Sequence, residues 1–179
     1  MAQSWRHDRQ VPPLDEAALE RLALRYVERY ATSRAKLRRY LERKLRERGW
    51  GGDAPPDLVQ LADRFAELGY VDDQGFASAK AGALVRRGYG PRRVSQALRA
   101  AGISEVEAAP AESEARDGAW AAALDFARRK RLGPFAAALP DRAGRGKAIG
   151  AFLRAGHDLA TARRLTDARP GEIPERDDR

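Results

Sequence analysis

The densest set of residues able to recognise an anion surrounds a glycine-rich turn, where Arg86, Arg87, Tyr89, Arg92 and Arg93 bracket Gly88, Gly90 and Pro91. Four guanidiniums offer forked donors to phosphate or carboxylate, and an exposed helix start at Pro91 would add backbone N–H groups and the positive end of its dipole. The competing reading is a solvated basic face with Tyr89 packed between helices. A second set, Arg34, Lys36, Arg38, Arg39, Arg43 and Lys44, falls off the Leu37 and Leu41 apolar stripe, hence on the solvent side of a helix. Each phosphate such a set neutralised would steepen the salt dependence of binding, although Glu42 and Glu47 offset part of the charge through neighbouring helical pairs. The third set, Arg128, Arg129, Lys130 and Arg131, is continuous in sequence, a pattern shared by partner-binding runs and solvated helix ends.

Other chemistry has little material. The absence of cysteine removes disulfides, thiolate nucleophiles and thiolate metal sites, and fits a reducing cytoplasm. Asp72 and Asp73 offer carboxylates to a hard cation but have no further ligands nearby in sequence, so Asp72 reads as a helix N-cap. His7 and His157, the only histidines, have no spaced partner for a metal or a triad. Trp50 and Trp120, like Tyr89, have rings able to stack on bases, but their places at a helix end and on an apolar stripe favour packing. No Gly-Lys-Ser/Thr phosphate loop occurs, so any nucleotide hydrolysis belongs to a partner. A small nuclease lacks its carboxylate cluster or histidine dyad.

The elements that must position these residues follow from composition and pattern. The 179 residues include 35 Ala, 18 Leu and 29 Arg but only 13 Val, Ile and Thr together, which favours helix and leaves little for a sheet. Apolar runs such as residues 119–124 fall far short of the ~20 residues of a membrane span, and residues 1–10 are too polar for a signal peptide. A net charge of +8 and a pI near 10.3 point to an anionic partner such as nucleic acid, although the excess of Arg over Lys is also what a GC-rich genome would produce.

The charge is not spread evenly. Residues 1–50, 74–104 and 128–164 carry +6, +6 and +8, separated by 51–73 and 105–127 at −5 each, and residues 165–179 carry −2. This threefold alternation signals an internal repeat. Each basic block holds an amphipathic helix with apolar residues at spacing 0, 3 and 4: Leu37, Tyr40, Leu41; Val94, Ala97, Leu98; Ile149, Phe152, Leu153. Turn or cap signals precede them at Thr32-Ser33, Gly88-Tyr89-Gly90-Pro91 and Gly144-Arg145-Gly146, and Gly49, Gly102 and Gly156 follow where a left-handed cap needs glycine. The first of these helices runs a turn longer, through Leu45.

A helix precedes each basic one, with stripes Leu19, Leu22, Ala23, Tyr26, Val27; Phe76, Ala79, Ala83, Leu84; and Trp120, Ala123, Leu124, Ala127. A third follows over residues 57–69, capped by Asp57, with weaker counterparts at 104–114 and 158–166. The predicted fold is all-α: three tandem three-helix repeats in an elongated, curved arrangement. Repeat 1 spans residues 14–71, repeat 2 residues 72–111 and repeat 3 residues 112–167, with flexible tails at 1–13 and 168–179.

The motif Leu68-Gly69-Tyr70-Val71-Asp72-Asp73-Gln74-Gly75-Phe76-Ala77, with Arg86-Arg87-Gly88-Tyr89-Gly90-Pro91-Arg92-Arg93-Val94 and Ala97-Leu98-Arg99-Ala100-Ala101-Gly102-Ile103, resembles the central repeat of the RecX family. Ala23-Leu24-Arg25-Tyr26, Ser33-Arg34-Ala35-Lys36-Leu37 and Gly49-Trp50 resemble its first repeat. In the third repeat, residues 132–144 look inserted and the basic helix lacks the Pro-Arg-Arg start, so equivalence there rests on periodicity. The resemblance implies three tandem three-helix repeats and a non-enzymatic negative modulator of the RecA recombinase. Such a modulator binds the RecA filament on single-stranded DNA and restrains strand exchange, ATP hydrolysis and co-protease activity in recombination, DNA repair and the SOS response. The chain is expected to be a cytoplasmic monomer without cofactor or metal, with its contacts on the three basic sets above. The alternative is a freestanding DNA-binding protein that reads phosphates without RecA.

Overall fold

The computed structural model describes residues 12–176. Their chain folds into helices with no strand, as predicted, and forms two compact units that divide at Asp72. No helix among the described residues is long and apolar enough to cross a membrane.

The first unit holds α1 (Glu16–Arg29), α2 (Arg34–Arg48) and α3 (Leu58–Glu67). Their starts are set by side chains that satisfy orphan first-turn donors. The Ala18 amide donates to the Asp15 carboxylate at 2.7 Å, that of Lys36 to the Ser33 hydroxyl at 3.2 Å, and those of Val59 and Gln60 to Asp57 at 3.0 and 2.9 Å. Leu19, Ala23, Leu37, Leu41, Ala62 and Phe65 form the core. Leu14 is fully buried, and paired bonds to Gly49 and Gly51, each 2.9 Å, tie it beside Trp50. The Trp50 indole packs on that core and donates to the Ala54 carbonyl at 2.6 Å.

The second unit holds α4 (Asp73–Val85), α5 (Pro91–Ala101), α6 (Glu105–Asp117), α7 (Ala119–Lys130), α8 (Arg142–Arg154) and α9 (Leu159–Asp167). Helix α4 begins directly after Asp72, and α5 begins at Pro91, where its missing N–H costs nothing. Ser104 and Glu107 form a reciprocal capping box on α6, and Asp158 caps α9. One cluster joins Ala77, Ala81, Val94, Leu98, Ile103, Ala108, Ala111 and Ala115; another joins Ala123, Phe126, Ala127, Phe152, Ala155, Ala162 and Leu165. Trp120 packs against the second of these.

Several expectations need correction. The buried row of α4 is Ala77 and Ala81, flanked by the partly buried Phe76 and Leu84, while Ala79 and Ala83 face solvent. In α8 the row is Ala148 and Phe152, and Leu153 is exposed. Both shifts arise because alanine occupies both faces of these helices, so apolar type alone barely marks the buried one. Gly144 and Gly146 lie inside α8 rather than in a preceding turn; the cap is Asp141, which accepts from the Gly144 amide at 2.7 Å. Gly102 is left-handed as expected, whereas Gly49 has positive φ with an extended ψ of 172°.

The stretch at 132–144 forms a 3₁₀ turn over Gly133–Phe135, a loop, and the first residues of α8. Gly133, at φ +54°, presses its Cα against the Leu165 carbonyl, where a Cβ would sit 1.8 Å away. Helix α6 continues past position 111 to Asp117. The predicted tail at 1–13 lies outside the described residues up to position 11. Within the segment at 168–176, the Gly171 amide donates to the Pro134 carbonyl at 2.8 Å.

Candidate nucleic-acid and partner interface

In the second unit the turn Gly88-Tyr89-Gly90 is built as a joint between repeats 2 and 3. The Gly90 amide donates to the Ala155 carbonyl at 2.9 Å and the Arg92 amide to the Gly156 carbonyl at 3.2 Å. His157, 1% exposed, donates from Nε2 to the Gly88 carbonyl at 3.0 Å; since a carbonyl only accepts, this bond fixes the tautomer with hydrogen on Nε2. Burial depresses the imidazole pKa below its usual 6.5, against the opposing effects of the Gly88 bond and the Asp158 charge. Asp158 itself is held below the usual carboxylate range: partial burial opposes this, but bonds from the Thr161 amide and hydroxyl outweigh it. The Gly156 backbone lies against Arg93, and a Cβ at Gly88 would lie 2.8 Å from the Phe126 amide nitrogen.

This joint revises one part of the anion-site expectation. The first turn of α5 is not open: Pro91 has no N–H, Arg92 gives its own to Gly156, and Arg93 and Val94 give theirs to Gly90. The dipole end is therefore closed, by Gly156 of the third repeat and by the Gly90 carbonyl of the turn itself. Tyr89 is half-buried on the repeat 3 core, with the Arg87 guanidinium 5.3 Å from its ring centroid. The four side chains Arg86, Arg87, Arg92 and Arg93 nevertheless remain exposed around the closed turn.

The joint also brings two predicted sets together. Arg129, on the last turn of α7, donates from Nη2 to the Arg86 carbonyl at 3.4 Å, which merges the run at 128–131 with the arginine turn. Arg128 is engaged, pairing with Asp125 at 2.9 Å and lying 4.9 Å over the Phe135 ring. Arg129, Lys130 and Arg131 are exposed, and Arg131 caps α7 in the left-handed region at φ 53°. Cations at this helix end also complement its dipole.

The set at 34–44 belongs to the first unit and is more compensated than spacing suggests. Arg34 pairs with Asp63 at 3.3 Å, Arg38 with Glu42 at 3.6 Å, and Glu47 draws both Lys44 at 2.6 Å and Arg43 at 3.6 Å. The Lys44 bond holds the Glu47 carboxyl below the usual range. Arg39 and Arg43 are exposed, whereas Arg34, Lys36, Arg38 and Lys44 are half-buried. On the face toward α1, Lys36, Arg43 and Lys44 meet Arg25, Arg29 and three tyrosines. Apolar spacing puts Tyr26 and Tyr40 on core stripes and does not mark this face; the signal that could is the pair of i,i+4 rows, Arg25 with Arg29 and Tyr26 with Tyr30, on neighbouring lines of one helix. Among the described residues, no group of three or more His, Cys, Asp or Glu is placed to hold a metal ion.

Residues 72–111 match the family profile for the second three-helix domain of RecX. The regulatory protein RecX of Myxococcus xanthus (strain DK1622) is 32% identical over 166 residues, covering 85% of this chain and 86% of that protein. The regulatory protein RecX of Pseudomonas syringae pv. tomato (strain ATCC BAA-871 / DC3000) is 31% identical over 134 residues, 74% of this chain and 81% of that protein. The fold is similar to a crystal structure of regulatory protein RecX, with a TM-score of 0.58, 21% identity, and coverage of 86% of this chain and 78% of the other. It is also similar to the crystal structure of RecX from Lactobacillus salivarius, with a TM-score of 0.57, 17% identity, and coverage of 82% and 90%. Identity at this level across most of both chains, together with the match to the second three-helix domain, establishes that the chain belongs to the RecX family of regulatory proteins.

Proposed function

We propose that this chain is a negative regulator of the RecA recombinase. It binds RecA filaments on single-stranded DNA and restrains strand exchange, ATP hydrolysis and co-protease activity, and through these recombination, DNA repair and the SOS response. It acts as a monomer by binding alone, without a cofactor and without chemistry of its own.

Membership of the RecX family carries this reading. The merged basic surface of the second unit supports it: Arg86, Arg87, Arg92, Arg93 and Arg129 ring a joint whose backbone is fixed by hydrogen bonds between repeats 2 and 3. A fixed backbone holds these guanidiniums in one array, so engaging phosphates or carboxylates, the two anions a nucleoprotein filament presents, orders side chains without also ordering the turn.

The test is co-sedimentation with RecA filaments on single-stranded DNA at moderate salt, compared with the same DNA lacking RecA. The intact chain is expected to prefer the filament. Replacing Arg86, Arg87, Arg92 and Arg93 together by Ala is expected to weaken filament binding with helical content unchanged, because none of the four side chains is buried. Unchanged binding removes this turn from the interface. Equal binding to bare DNA, with a steep salt slope, favours the freestanding phosphate reader instead.

A further inference from the structure

The first unit contains an open pocket of about 690 Å³ between the end of α1 and the face of α2, within the roughly 300–1,000 Å³ usual for small-ligand sites. One wall is aromatic. Tyr26 and Tyr40 stack with centroids 4.2 Å apart and planes at 14°, and Tyr30 tilts against Tyr26 at 5.3 Å. The first two rings are half-buried on the core, but Tyr30 is 49% exposed. Its partner in cation–π contact is Arg29, whose guanidinium carbon lies 5.4 Å from the ring centroid.

The rest of the rim is cationic: Arg25, Arg29, Lys36, Arg43 and Lys44 line the pocket, and among the described residues no acidic one does. On the same helix but outside the pocket, Arg34 pairs with Asp63 and Arg38 with Glu42. Arg43 and Lys44 share one carboxylate, Glu47, which lies outside the pocket. A concave surface lined in this way gathers anions, and an exposed ring at its edge offers a flat apolar face. Phosphate alone would use the cations and ignore the ring. A nucleotide of a single strand uses both, whereas a duplex hides its base faces.

We infer that this pocket is a single-strand nucleic-acid subsite, in which an unpaired base stacks on Tyr30 while the adjoining phosphates lie among Arg25, Arg29 and Lys36. It goes beyond the proposed regulation, because it needs no recombinase and lies in the first unit.

The test uses the full chain carrying the four Arg→Ala substitutions of the second unit, so that the other basic surface does not dominate. Binding of a labelled oligothymidylate is followed by fluorescence anisotropy without RecA, with an abasic oligomer of equal phosphate number, a duplex, an oligouridylate, an oligodeoxyuridylate and polyglutamate as competitors. Tyr30→Ala is expected to weaken thymidylate binding roughly 5- to 100-fold while leaving abasic binding unchanged, and Tyr30→Phe to retain it. Arg25→Ala with Arg29→Ala is expected to weaken both oligomers and flatten the salt slope by about 0.7 for each phosphate that is no longer neutralised. Equal competition by oligouridylate and oligodeoxyuridylate, which carry the same base, makes the subsite indifferent to the sugar, and a preference between them identifies DNA or RNA as its source. The inference is overturned if no thymidylate binding is detected, if Tyr30→Ala affects both oligomers equally or neither, or if polyglutamate of matched charge competes as well as thymidylate. Because RecA is absent, failure here leaves the filament reading standing.

Discussion

Replacing Gly156 by Ala perturbs the joint between repeats 2 and 3 at its tightest point. Two costs combine. Gly156 adopts φ +93°, where an L side chain is strained by about 1–2 kcal/mol. The added Cβ would also lie 2.4 Å from the Arg93 nitrogen and 2.6 Å from its Cβ, so backbone must move, at an overpacking cost of about 1–3 kcal/mol. The expected loss is about 2–5 kcal/mol, enough to displace the Arg92 bond to Gly156 and the Gly90 bond to Ala155. Gly146 provides the internal control. It lies within α8 with nothing within 4 Å of an added Cβ, so Gly146→Ala should stabilise by about 1 kcal/mol through helix propensity. Trp120 is the second unit's only tryptophan, so urea unfolding followed by its fluorescence in a Trp5→Phe, Trp50→Phe background reports that unit. A loss below about 1 kcal/mol for Gly156→Ala, with the denaturant slope unchanged, would refute the close approach of Gly156 to Arg93.

Three further predictions concern the same unit and its surface. His157 is held neutral by burial, so below pH 6.5 the unfolded chain takes up a proton that the folded chain resists. Stability is therefore complete above pH 6.5 and falls as the pH drops below it; urea midpoints at pH 7.5 and 5.5 should differ, and His157→Gln should reduce the difference. Phe152 is fully buried between Phe126 at 5.1 Å and His157 at 5.7 Å, so Phe152→Ala should cost about 3–5 kcal/mol in the same unfolding assay. The Arg145 guanidinium grips both oxygens of Asp167 at 2.6 and 2.7 Å, which raises the Arg145 pKa and lowers that of Asp167; because the pair is exposed, Arg145→Ala should lower the thermal midpoint only slightly, and less in high salt.

Helix starts were legible at Ser33, Asp57, Pro91, Ser104 and Asp158, where a short polar side chain or proline follows a clear break in the apolar pattern, but not at Asp141, whose cap is masked by the glycines that follow it inside α8. The buried rows of α4 and α8 were not, because Ala77 and Ala83 are the same residue type with opposite exposure, and only the neighbouring helix distinguishes them. The role of His157 was out of reach for another reason. Its bond to Gly88 spans 69 positions, and no periodic signal relates residues so far apart. The arginines of the turn were legible as exposed cations, but the closure of the α5 start depends on that same long-range joint. The tyrosine pocket lay between these cases: its i,i+4 rows are present in the sequence, yet an apolar stripe explains Tyr26 and Tyr40 equally well until the surrounding cations are placed.

The most direct test of the regulatory account is RecA ATP hydrolysis on preformed single-stranded DNA filaments while this chain is titrated in, with excess bare DNA as a control for competition. The account predicts inhibition at amounts well below the RecA concentration that survives the added DNA. Inhibition that appears only when the chain can coat the DNA, and that more DNA relieves, would contradict it.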